Sequence, residues 1–197
     1  MPLRLRSAGG GGVTLKPPVA LSTEAAIEVP AYDGAKMLTN KTPGCVLQVV
    51  QGVYTGATTV ASASYVALPV LATITPLSAS SKILVRTVIH CGMTGSNEGL
   101  HGRLYRNGAV VPIYGNAAGS RDQAWFHCGA HYSAYEQYAA TAEYLDSPNS
   151  IETLTYQIWA RGNSAPYPVL INTCENDADS SATSRTVSSI TLMEIAG

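Results

Sequence analysis

Two histidine–cysteine pairs, His90-Cys91 and His127-Cys128, are the first residues whose types suggest chemistry. Imidazole and thiolate are both good zinc ligands. Neighbouring residues on a strand point to opposite faces, however, so neither pair easily shares one ion. With Cys45 and Cys174 they make four widely spaced cysteines and no C-x-x-C pair. That pattern reads as reduced thiols used as small core residues, and no metal or cofactor is expected. Glu136 and Glu143 have the residue type for the acid and base of a glycosidase, although two acidic residues on polar segments are more often solvated. Asp177 and Asp179 have the type of calcium ligands, but their loop lacks the remaining oxygen donors. There is no G-x-S-x-G elbow, HExxH helix or Walker loop, and no Lys-Ser/Thr follows Gly9 to Gly12 in register. The expectation is a protein that is not an enzyme.

The aromatic residues point towards contact. Tyrosine dominates, with 11 Tyr against one Phe and two Trp. A tyrosine has an apolar body and a polar tip, which suits half-wet sheet edges and subunit interfaces. Aromatic faces also stack on sugars, and Trp125, Tyr132, Tyr135, Tyr138 and Trp159 are the candidate surface aromatic contacts.

Elements must position these residues, and the composition restricts which elements. Across 197 residues, 46% are hydrophobic and only 13% charged. The charged share is about half of that typical of soluble domains. Polarity comes from Ser, Thr and Gly, with 18 of each. Disorder, which needs low hydrophobicity and high net charge, is excluded, and so is a Lys/Glu-rich helical bundle. No apolar run is long enough for a membrane-spanning helix, so no membrane insertion is expected. The formal net charge is −1, made of +2 before residue 45 and −3 after it, too little for a nucleic-acid footprint. Arg4 and Arg6 are followed by Ser7, Ala8 and four glycines, not by an apolar stretch, so a signal peptide is not expected.

The chain divides at about Gly44. Before it, Leu3-Arg4-Leu5-Arg6 and Val13-Thr14-Leu15-Lys16 alternate on either side of the glycine cluster, and Ala26 to Pro30 makes another short run. Such pieces cannot close a core alone. Residues 1–44 are therefore expected to form an extended, β-rich N-terminal arm that pairs with something else. Its docking residues would be Leu3, Leu5, Val13, Leu15, Ile27 and Val29.

Residues 45–197 read as a dense series of strands. Val46 to Tyr54, Tyr65 to Leu68, Ala72 to Ile74 and Lys82 to His90 come first. Asn107-Gly108 between alternating residues is the strongest short hairpin signal, because both turn positions need positive φ. Ala124 to Tyr132, Tyr138 to Leu145, Thr153 to Arg161, Tyr167 to Thr173 and Val187 to Ile195 follow, with no convincing helix. Short strands with glycine-rich turns predict an all-β, jelly-roll-like antiparallel sandwich.

Two stretches carry a family resemblance. Leu3-Arg4-Leu5-Arg6-Ser7-Ala8, the four glycines and Val13-Thr14-Leu15, continued by Ala26-Ile27-Glu28-Val29-Pro30-Ala31-Tyr32-Asp33-Gly34, resemble the start of tailed-bacteriophage fibre-like virion proteins. Ser81 to Val85, Arg103 to Gly108, Tyr144 to Asn149 and Ile190 to Ile195 look like parts of a phage tail-fibre or surface-protein module. The chain departs from a full tail fibre in having almost no shaft. The resemblance implies a homotrimer of jelly-roll-like domains on the virion, assembled in the host cytoplasm, with the arm docked on other virion proteins. A short tail-fibre or tail-associated protein is the leading expectation, with a host-surface glycan as a candidate outer partner. A trimeric capsid decoration or cement protein is the alternative, and a carbohydrate-binding or carbohydrate-active sandwich comes third.

Overall fold

The computed structural model of the protein describes residues 3–6, 12–15, 43–95, 99–129, 133–164 and 166–197. Two units separate by their internal contacts, Met1–Met37 and Leu38–Gly197. In the first, strands β1 (Leu3–Arg6) and β2 (Gly12–Leu15) pair antiparallel, with Leu3 opposite Leu15 and Leu5 opposite Val13. The two alternating runs of the arm therefore satisfy each other across the glycine cluster. Ile27 and Val29, the other two expected docking residues, lie outside the described residues.

The second unit is an antiparallel β-sandwich. Its strands are β3 (Val46–Tyr54), β4 (Thr58–Val60), β5 (Val66–Ile74), β6 (Lys82–Met93), β7 (Gly99–Arg106), β8 (Ala109–Val110), β9 (Phe126–Gly129), β10 (Tyr138–Asp146), β11 (Leu154–Arg161), β12 (Val169–Ile171) and β13 (Ser188–Ile195). One sheet runs β3-β13-β6-β12-β4, with β10 on the other side of β6. The second runs β5-β11-β7-β8, with β9 also on β7. Leaving aside the short β4, β8 and β12, the main strands read first-eighth-third-sixth in one sheet and second-seventh-fourth-fifth in the other. That order is the double-sheet jelly roll.

Alternation explains which side chains meet. On β6, Ile83, Val85, Thr87, Ile89 and Cys91 are fully buried, while Leu84, Arg86, Val88 and His90 lie on the outer side. On β11, Leu154, Tyr156, Ile158 and Ala160 face the same core from the opposite sheet. At one edge of the sandwich the sheets come very close. A Cβ on Gly52 of β3 would lie 1.8 Å from the Leu71 carbonyl oxygen of β5, so only glycine fits.

Several expected strands differ in extent. The expected strands Tyr65 to Leu68 and Ala72 to Ile74 are one strand, β5, which begins at Val66, leaves Tyr65 just ahead of it and continues through Pro69. Proline is tolerated there because β5 is an edge strand and the β11 register shifts opposite it, between Gln157 and Trp159. The Gln157 side chain donates to the Leu68 carbonyl at that irregularity, at 2.8 Å. β12 is shorter than Tyr167 to Thr173 because Asn172 takes a φ of 62° and ends it. Asn107 and Gly108, at φ 50° and 79°, form the predicted hairpin turn between β7 and β8.

Candidate functional site

The half-buried outer face of the five-stranded sheet gathers charged and aromatic side chains. Positions spaced by two put His101, Arg103 and Tyr105 on this face of β7, and Gln157, Trp159 and Arg161 on that of β11. The register sets Arg161 opposite His101 and Trp159 opposite Arg103, and on the far side of β7 sets His127 opposite His101. The loop before β9 then lays Asp122 onto them.

Asp122 is the hub. The Tyr65 hydroxyl donates to its Oδ2, Arg161 Nε lies 3.2 Å from Oδ2, His101 Nδ1 lies 3.4 Å from it, and Arg103 reaches Oδ1 at 3.7 Å. Burial pushes the Asp122 carboxyl up, but the Tyr65 hydroxyl and the Arg161 guanidinium outweigh it and hold the carboxyl below its ordinary range. Tyr65 moves the other way, since burial and the carboxylate both favour its protonated phenol. Arg103 lies between two tyrosine rings, 4.3 Å from the Tyr65 centroid and 5.0 Å from that of Tyr114, and donates to the Gln123 carbonyl at 2.7 Å. These contacts fasten the loop to the sheet.

Beside the hub is an open cleft of about 450 Å³, lined by His101, Arg121, Asp122, Trp125, Phe126 and His127 among others. The His101 and His127 rings are 4.7 Å apart. His101 also contacts Asn163 Oδ1 through Nε2 at 2.7 Å. Burial, and then the neighbouring His101, hold His127 below the ordinary imidazole range. Asp122 is thus a fixed anion, ill suited to donating a proton, while the nearby cations are suited to holding a negatively charged group.

The candidate aromatics do not form one platform. Trp125 lines the cleft, and its amide donates to the Gly102 carbonyl at 2.8 Å. Trp159 is on the same sheet, stacked on Tyr105 with centroids 4.2 Å apart. Tyr138 is in the other sheet, packed against the core, with its hydroxyl donating to Glu136 at 2.6 Å. Tyr135 is exposed in the turn before β10, and Tyr132 lies outside the described residues.

The other sequence candidates are committed elsewhere. Glu143 faces Arg86 across β10 and β6, on the outside of the six-stranded sheet. Glu136 accepts from Tyr138, which packs against the core, whereas Glu143 faces outward beside Arg86, so the two do not face each other as a glycosidase pair. Asp177 is paired with Arg185 and accepts from Thr173 Oγ1 at 2.9 Å. His90 and Cys91 point to opposite sides of β6, where His90 Nδ1 lies 2.8 Å from the Val187 carbonyl. Cys91 and Cys128 meet in the core, and their mutual hydrogen bond together with burial pushes the Cys91 thiol up. Among the described residues, no three His, Cys, Asp or Glu side chains are placed to hold a metal ion.

Asp122, His101, Arg103, Arg161 and Arg121 were not singled out by the sequence reading. The spacing of two on β7 and β11 was a usable signal for the strand residues. Nothing in the loop marks Asp122. No protein-family model matches the chain, and no curated protein is similar to it.

Proposed function

We propose that this chain is a structural protein of a tailed-phage virion, a short tail-fibre or tail-associated subunit that assembles as a homotrimer. The observation that carries this reading is the strand order, a jelly roll preceded by a separate unit containing a β-hairpin. Jelly rolls recur in viral capsid and lectin domains, and the sequence resemblance of the arm and of the sandwich points to the viral group.

The outer face of the six-stranded sheet supports the self-association. Val49 and Val53 of β3 are each 56% exposed and Leu145 of β10 is 44% exposed. Met193 and Leu84 complete an apolar row, Val49–Met193–Leu84–Leu145, and the polar row Gln51–Thr191–Arg86–Glu143 separates it from Val53 and Val88. Exposed apolar side chains aligned in a row across a sheet are more typical of an interface than of a free surface. The protein then works by making contacts.

Light scattering on the purified chain tests the assembly. A mass of about 62 kDa, three times 20.6 kDa, is expected, and a 20.6 kDa monomer would sink the trimer. Antibody labelling of intact particles tests the location. Signal over the head instead of the tail would replace the tail reading with capsid decoration.

A further inference from the structure

We propose that the cleft beside Asp122 is a binding site for an anionic saccharide, with Arg121 and His127 taking the acid group and Trp125 packing on the sugar ring. The inference rests on the reading that the protein meets a cell surface, and it adds the class of ligand.

Charge imbalance is the first support. Arg103 and Arg161 together outweigh Asp122, the one described carboxylate they pair with, and Arg121 adds a third guanidinium on the cleft wall. The whole chain carries −1, so the positive corner is local. Arg103 and Arg161 are occupied by Asp122 and by backbone carbonyls. Arg121 is exposed, with its NH1 on the Ala118 carbonyl at 3.1 Å, and has donors left for a ligand. A guanidinium presents five N–H groups in a planar fork, which suits a carboxylate or a phosphate.

Shape and chemistry of the walls are the second support. The cleft is open enough to admit a chain of sugars, and its lining combines the Arg121 guanidinium and two imidazoles with Trp125. An indole offers a flat apolar face with a polar edge, a surface on which the C–H face of a sugar ring can pack. A small inorganic anion would not use that wall. A bulky apolar ligand would not use the cations.

His127 adds a pH dependence of known sign. Among the described residues, the titratable and charged groups facing it are His101 on β7 and Arg121 and Asp122 on the loop, and the glycines beside it, Gly99 and Gly129, carry none. Its proton is held weakly in the free protein, so lowering the pH below the ordinary imidazole range creates a new cation in the cleft. A bound anion favours that proton, and affinity rises as pH falls.

Calorimetric titration of the full chain tests the site with three probes: a galacturonic-acid tetrasaccharide, a neutral galactose tetrasaccharide and a sugar phosphate. The acidic tetrasaccharide is expected to bind at least about tenfold more tightly than the neutral one, since one charge-assisted hydrogen bond is worth about that much. Binding of the sugar phosphate at the same site would assign the acid group to phosphate chemistry as well as carboxylate. Arg121→Gln should weaken binding about tenfold, His127→Gln should remove the gain between pH 7.5 and 5.5, and Lys82→Gln on the opposite sheet should change nothing. Equal affinity for the neutral and acidic probes, no binding of either acid, or full affinity in the Arg121→Gln, His127→Gln double variant would overturn the proposal. The substituted side chains are exposed, so folding is expected to survive, and an unchanged Tm verifies it. These results are independent of the trimer test: a monomer that binds keeps the site, and a trimer that does not bind loses it.

Discussion

The hydroxyl of Tyr156 donates to Asp146 Oδ2 at 2.7 Å, joining β11 of one sheet to the end of β10 in the other. Tyr156 is fully buried, and Asp146 is also paired with Arg106. Burial, then the hydrogen bond to the carboxylate, pushes the Tyr156 phenol well above its ordinary range, so it is always a donor. Tyr156→Phe removes one hydrogen bond to a charged group and should cost about 1.5–3 kcal/mol. Asp146→Ala should cost more, about 3–5 kcal/mol, because it leaves both Arg106 and the phenol without their acceptor. Urea denaturation measures both, and a Tyr156→Phe midpoint equal to wild type would show that the link between the sheets contributes nothing.

The turn residue Asn107 does more than supply a positive φ. Its Oδ1 accepts from the Thr155 amide at 2.7 Å, and its own amide donates to the Thr155 carbonyl at 2.9 Å, so the turn is tied to β11. Asn107→Val places a β-branched residue at φ 50° and removes the side-chain acceptor. The expected loss is about 2–3 kcal/mol, from about 1–2 for the left-handed backbone and about 1 for the hydrogen bond. Asn107→Asp keeps both properties and should stay close to wild type. Calorimetry decides, with Tm falling about 2–4 °C per kcal/mol in a domain of this size.

Gly52 is where β3 and β5 come closest, and backbone is the least yielding obstacle. Because the Leu71 carbonyl oxygen would lie 1.8 Å from a new Cβ, Gly52→Ala must separate the two strands. The cost should reach or exceed about 3 kcal/mol, the upper end for overpacking. Parting these two edge strands also uncovers the core between the sheets, so the variant should aggregate on mild heating. In contrast, a Cβ on Gly115 meets only the Ala124 carbonyl oxygen at 3.9 Å, and Gly115→Ala should stay within about 0.5 kcal/mol. Equal stabilities for the two variants would refute the tight crossing.

Legibility in the sequence followed the range of the interactions. Alternation on β6 and the Asn107-Gly108 turn are local, and they marked strands and hairpin where the structure has them. Pro69 hid the continuity of β5, because tolerance of proline depends on an edge position that only the sheet order defines. The Asp122 cluster draws on β7, β11, the loop before β9 and Tyr65 just ahead of β5, so no single segment carries a pattern for it. Tyrosine enrichment correctly suggested half-wet positions, as with Tyr65 and Tyr114 around Arg103, but not which tyrosines share a place. Asn172 was invisible for the same reason. It is fully buried, and its side chain bonds the Tyr54 and Gly56 carbonyls and Ser188, partners 16 to 118 residues away.

Acid should unfold the sandwich partly through Glu194. This buried side chain on β13 accepts from Gln48 Nε2 at 2.6 Å and from the Leu77 amide at 2.7 Å, so it joins β13, β3 and the turn after β5. Burial raises its carboxyl, but the hydrogen bonds outweigh that and hold it below the ordinary value of 4.5. A carboxyl lowered on folding contributes its full stability above the unfolded pKa and loses it as pH falls through the folded one. Wild-type urea midpoints should therefore be level from pH 7 to about 5 and fall below about 4.5. Glu194→Gln cannot titrate, so it should be less stable at pH 7 and show a shallower fall between pH 4.5 and 3. If the two curves run parallel through that window, the hydrogen bonds to Glu194 are not a source of the acid sensitivity.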